Sequence, residues 1–181
     1  LPLSFATEND RPMWNWYRFF ISIDVSVASW LARYAVQILR VSLGTIFLWF
    51  GALKFFPGLS PAGDLATRTI DILTMGLIPP HVAIFLLATW ECLIGILLIL
   101  GVFMRVALLL LWLQMLGTIM PIFFFPREVF TYIPYAPTLE GQYIIKNIVV
   151  ISSSLVVGAT VRGGGLVADH RSVERSQAEG N

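Results

Sequence analysis

Charge is scarce in this chain, and cysteine and histidine are nearly absent. Of its 181 residues 13% are charged, and the formal net charge is +1. A near-neutral chain has no electrostatic grip on a polyanion, which excludes nucleic acid as a partner. So few charges also cannot cover the surface of a soluble domain of this size. The one cysteine, Cys92, excludes an intrachain disulfide. Alone it also excludes an iron–sulfur cluster and a structural zinc site, so no metal is expected. The two histidines, His81 and His170, are too far apart in sequence to suggest paired haem ligands. With no dithiol and no GxGxxG either, no cofactor that carries electrons is encoded.

What is abundant is hydrophobicity: 57% of the residues, with a mean hydropathy of +0.78. It lies in long runs rather than amphipathic stripes, the mark of an integral membrane protein whose first partner is the lipid bilayer. Four runs are long enough to span. Val36 to Phe56 is stopped by Pro57-Gly58, and His81 to Phe103 is opened by Pro79-Pro80. Val106 to Phe125 is stopped by Pro126, and about Gln142 to Val161 by Arg162 and three glycines. Runs this long must be helices, since lipid offers the backbone no hydrogen bonds. The second and third are joined by little more than Met104-Arg105, which makes them an antiparallel hairpin.

Before the first span, Trp16, Phe19, Ile23, Val27, Trp30, Leu31 and Tyr34 recur at three- and four-residue spacing, with Arg18, Ser22, Ser26, Ser29 and Arg33 opposite. That is an amphipathic helix, read as lying in the membrane interface. The fold class is therefore all-α: an integral membrane four-helix bundle with an N-terminal interfacial amphipathic helix. Its organisation is an N-terminal segment 1–13, the interfacial helix 14–35, the bundle 36–161 and a polar tail 162–181. The N-terminal segment carries Glu8 and Asp10 and has no apolar core ahead of a cleavage site, so it does not read as a signal peptide.

Eight arginines (11, 18, 33, 40, 105, 162, 171, 175) fall on one side and Lys54, Arg68, Arg127 and Lys146 on the other. The positive-inside rule then puts both termini in the cytoplasm. On the outer side, 58–78 should hold a short helix with Leu65, Ile72 and Leu73 against the bundle. The aromatic stretch 126–141 should lie in the headgroup layer.

Glu91 interrupts the second span about 15 Å along the helix from His81. A carboxylate there costs roughly 3 kcal/mol unless compensated. It should face inward, and its nearest cation should be Lys54 or, second, Lys146. Arg40, Gly44, Phe47, Gly51 and Lys54 form one stripe whose glycines let another helix approach. Gln114 and Thr118 on the third span, with Asn147 and Ser152 on the fourth, could complete a polar interior. Such a cluster can be helix glue, or a ligand or proton site.

"LRVSLGTIFLWFGALKFF" (39–56), "WECLIGILLILGVFMR" (90–105) and "TLEGQYIIKNIVVI" (138–151) together resemble the DoxX-like membrane proteins. The resemblance covers about Arg40 to Val161. It implies a four-helix bundle in a bacterial plasma membrane, protein partners in a membrane complex, and an association with redox chemistry. The family takes its name from the membrane subunit of a thiosulfate-oxidising, quinone-reducing enzyme. By position it carries over Arg40, Lys54, Glu91 and Lys146 as the distinctive polar residues. A quinone could be the cofactor, with Glu91, Lys54 and Gln114 at its head and Trp49, Trp90 and Trp112 as walls. A non-catalytic accessory or scaffold subunit of a larger complex is the alternative.

Overall fold

The computed structural model describes residues 12–60 and 63–163, without the side chains of 12–19 and Ser22. The expectations for the tail beyond Gly163, and for the faces of Trp16, Arg18, Phe19 and Ser22, lie outside the described residues. The fold is all-α, with four helices long and apolar enough to cross a membrane. They are α1 (Pro12–Leu53), α3 (Pro80–Leu100), α4 (Met104–Ile119, continued by the one-turn α5, Pro121–Phe124) and α7 (Leu139–Thr160). Outside them lie α2 (Gly63–Leu73), α6 (Pro126–Val129) and a small antiparallel ladder, β1 (Phe130–Tyr132) with β2 (Ala136–Pro137).

The chain divides into two compact units, and Val36–Gly164 is the bundle. Residues 20–35 of α1, in the other unit, are helical and expose Phe20, Ile23, Val27, Trp30 and Leu31. The apolar stretch of α1 runs Ile23–Leu53, 31 residues, or about 46 Å at 1.5 Å per residue. That exceeds the roughly 30 Å hydrocarbon core.

Helix ends are set by local chemistry. Pro80 opens α3, where its missing N–H is not needed. Gly101 closes α3 in the left-handed conformation, its N–H donating to the Leu97 carbonyl at 2.9 Å. The hairpin between the second and third spans is therefore Gly101 to Phe103. Met104 and Arg105, expected as the connection, are the first turn of α4. Pro121 interrupts the third span earlier than Pro126, because it cannot donate to the preceding turn. Thr138 caps α7, its hydroxyl accepting from the Gly141 N–H at 3.2 Å.

The core is a layer of Leu43, Phe47, Ile94, Leu98, Leu111, Met115 and Val157. Leu65 of α2, Val129 and Ile144 form a second cluster. Ile72 and Leu73, expected against the bundle with Leu65, are exposed. They lie about two turns beyond Leu65, past Thr69, whose buried position four residues on continues the inward face. Large apolar side chains otherwise point outward along every span (Phe50, Phe85, Leu93, Leu109, Leu116, Val149 among them), the belt a bilayer covers.

Candidate functional site: the buried ion pair

Helix α1 approaches α3 closely enough that glycine is required at three places. A Cβ on Gly95 would lie 2.5 Å from the Leu48 nitrogen, and one on Gly44 2.7 Å from Ile99 Cγ1. A Cβ on Gly51 would meet the Cβ of Glu91 at 2.8 Å. The stripe read from the sequence is thus the contact surface, and it brings the end of α1 alongside Glu91.

Lys54 follows the last residue of α1, its own N–H turning back to the Gly51 carbonyl at 3.1 Å. Its Nζ donates to Glu91 Oε2 at 2.6 Å and to the Phe50 carbonyl at 3.4 Å. A helix C-terminus favours a cation, so the backbone helps hold the ammonium there. Gln114 of α4 donates from Nε2 to Glu91 Oε1 at 2.9 Å. Each carboxylate oxygen therefore has its own donor, one from the residue just past α1 and one from α4. The Lys54 and Glu91 side chains are 11% exposed each, so the pair is held inside the bundle.

Lys146 does not join this cluster. It is exposed, with its ammonium 5.8 Å from the centre of the Tyr143 ring. The helix period explains this: Lys146 is about 200° around α7 from the buried Ile144. Arg40 shares the glycine stripe but lies about 21 Å along α1 from Lys54. Its guanidinium rests against Gly101, and its buried Nε has no hydrogen-bond partner. Asn147 donates to Thr118 at 3.3 Å, a pair separate from Glu91. Ser152 faces outward and bonds its own helix, whereas Ser154, three steps of a helix face beyond Ile144, is fully buried and accepts from Trp112 Nε1 at 2.9 Å. That spacing could have singled out Ser154 in the sequence.

Two of the three aromatic walls offered for a quinone, Trp49 and Trp112, lie elsewhere. Trp49 is 66% exposed. Trp90 donates to the Leu110 carbonyl at 3.2 Å, and Trp112 is two residues from Gln114, on the opposite face of α4. Cys92 packs against α1, its thiol 3.9 Å from the Leu48 carbonyl, as a small apolar side chain. Among the described residues no three His, Cys, Asp or Glu side chains group as metal ligands.

A second ion pair, not foreseen, joins α2 and α6, outside the four spans. Arg68 of α2 makes a two-pronged contact with Glu128 of α6 and stacks 4.9 Å over the Phe125 ring. Hydrogen bonding to Arg68 holds the Glu128 carboxyl below the usual carboxylate range.

Among known families, the model described as DoxX matches residues 35–126. Neither a curated protein nor a solved structure matches.

Proposed function

The chain belongs to the DoxX family, and from that membership we propose that it is the membrane subunit of a redox assembly, with a proton held at the Lys54–Glu91–Gln114 cluster. One observation carries this reading: a carboxylate midway along a spanning helix, with an ammonium at 2.6 Å on one oxygen and an amide at 2.9 Å on the other. A carboxylate so placed can take up and release a proton while its neighbours fix its position. The electrons belong to a partner, because this chain's residues offer no carrier for them.

A quinone headgroup finds a fitting polar end here. The Lys54 ammonium has three N–H groups, of which two are engaged. Trp49 and Trp112 do not supply its walls. The proposed role of the cluster therefore rests on the proton. In this reading both termini are cytoplasmic, the membrane is a bacterial plasma membrane, and the N-terminal part of α1 lies in the interface. The length of the apolar stretch of α1 beyond one bilayer crossing supports the last point.

A specific observation favours the accessory reading as well: the carboxylate is fully paired, as helix glue would be. Glu91→Gln separates the two. The chain would be purified in mild detergent with whatever redox protein accompanies it. On the proton reading, Glu91→Gln reaches wild-type levels in the membrane, yet the assembly turns over about a hundredfold more slowly. Turnover that falls only in proportion to the folded chain assigns the cluster to glue, and the absence of any redox protein contradicts the assembly.

A further inference from the structure

Helices α4 and α7 run antiparallel, tied by the Trp112–Ser154 hydrogen bond at 2.9 Å. A Cβ on Gly158 of α7 would rest 3.4 Å from Leu108 of α4. Where α4 begins and α7 ends, the two helices flank an open cleft of about 430 Å³ lined by Leu108, Trp112, Leu155 and Gly158, with Arg105 and Arg162. The cleft falls within the size range of small-molecule sites. Arg105 is the second residue of α4, and Arg162 lies just past the end of α7. Both are exposed, and the ion pairs among the described residues engage neither.

We propose that this cleft binds one anionic phospholipid, with its phosphodiester between Arg105 and Arg162 and an acyl chain along Leu108 and Leu155. Three features point to that occupant. The walls are apolar and belong to membrane-crossing helices, so what fills them comes from the hydrocarbon. The two cations sit together at one end of those helices, where headgroups lie. Guanidinium matches phosphate in charge and in paired N–H geometry, and basic pockets between spanning helices suit anionic headgroups.

The site is readable through Trp112, whose indole lines it. The full chain is reconstituted in phosphatidylcholine vesicles containing brominated phosphatidylglycerol or brominated phosphatidylcholine. The Trp112 emission is taken as the difference between the wild-type chain and Trp112→Phe. Each arginine near the surface contributes about fivefold in affinity. Brominated phosphatidylglycerol should therefore quench this emission with up to about thirtyfold preference over phosphatidylcholine. Arg105→Gln with Arg162→Gln should bring the preference to about one while leaving the melting temperature unchanged, since both side chains are exposed. Lysine at both positions should restore most of it. A salt titration of the wild-type chain reads the same contact without a substitution, and the preference should fall as salt rises. Equal quenching by the two lipids overturns the proposal, and so does a preference that survives the double substitution. Trp112 shielded from both lipids would show the cleft filled by residues 164–181 or a second copy. Loss of the preference in millimolar inorganic phosphate would show a site for soluble anions. Either of these results also overturns it.

Discussion

Adding one methyl group at Gly95 should do more damage than almost any polar substitution on the surface. In Gly95→Ala the new Cβ would sit 2.5 Å from the Leu48 nitrogen, 2.7 Å from the Gly44 carbonyl oxygen and 2.8 Å from the Leu48 Cα. All three are backbone atoms, so no side chain can turn aside. Ordinary contact is restored only if α1 backs away from α3 by about 1 Å. Overpacking of this kind costs about 1–3 kcal/mol. The displacement also reaches the ion pair, because Glu91 lies one turn before Gly95 on the same face. A 2.6 Å contact lengthened by about 1 Å leaves hydrogen-bond range. The expected destabilisation is therefore about 2–4 kcal/mol. Gly117→Ala is the control, since nothing lies within 4 Å of the added atom. There the better helix propensity of alanine should leave stability unchanged or raise it by up to about 1 kcal/mol. Reversible unfolding in mixed micelles measures both. Equal effects at the two glycines, or a neutral Gly95→Ala, would refute the close approach of α1 to α3.

Two further outcomes are expected. In a Cys92→Ala background, cysteines at Ser60 and Thr138 should react with an impermeant thiol reagent from outside and one at Ser172 should not; the reverse pattern overturns the orientation. Glu128 titrates below the ordinary carboxylate range because Arg68 holds it ionised. Its contribution is therefore complete above the unfolded value of about 4.3 and is lost as pH falls through the folded one. Hydrogen exchange at the Thr138 amide, bonded to the Val129 carbonyl at 2.9 Å, should accelerate over that acidic window. In Arg68→Gln that pH dependence should disappear, and its persistence would detach the turn before α7 from this ion pair.

The spans and the Lys54–Glu91 pairing were legible because cost and geometry agree. A carboxylate in mid-helix needs a cation, and the only close approach the sequence advertises is the Gly44/Gly51 stripe that ends at Lys54. Gln114 was legible as a polar residue in an apolar run, although not its bond to Glu91. Lys146 stood second to Lys54 because it lies at a similar depth, and depth says nothing of the face of α7 on which a residue falls. The end of α3 at Leu100 was hidden because the apolar run continues through Val102 and Phe103, so hydropathy alone carries the helix three residues too far. The Arg68–Glu128 contact joins residues 60 apart. It depends on how α2 folds back over α6, which no local pattern encodes. The groove between α4 and α7 is invisible for the same reason.

The central claim is that Lys54 and Glu91 compensate each other inside the bundle. A double-mutant cycle of Lys54→Met and Glu91→Gln on unfolding free energy tests it most directly. Lys54→Met should cost about 3 kcal/mol, because it strands the carboxylate. Glu91→Gln should cost less, since an amide can still bond Gln114 and the ammonium. With about 1 kcal/mol lost in Glu91→Gln alone, the double variant should be more stable than Lys54→Met by about 1 kcal/mol or more, which gives a coupling of about 2 kcal/mol or more between the sites. Strictly additive costs would mean that the two charges do not meet, and the account would fail there.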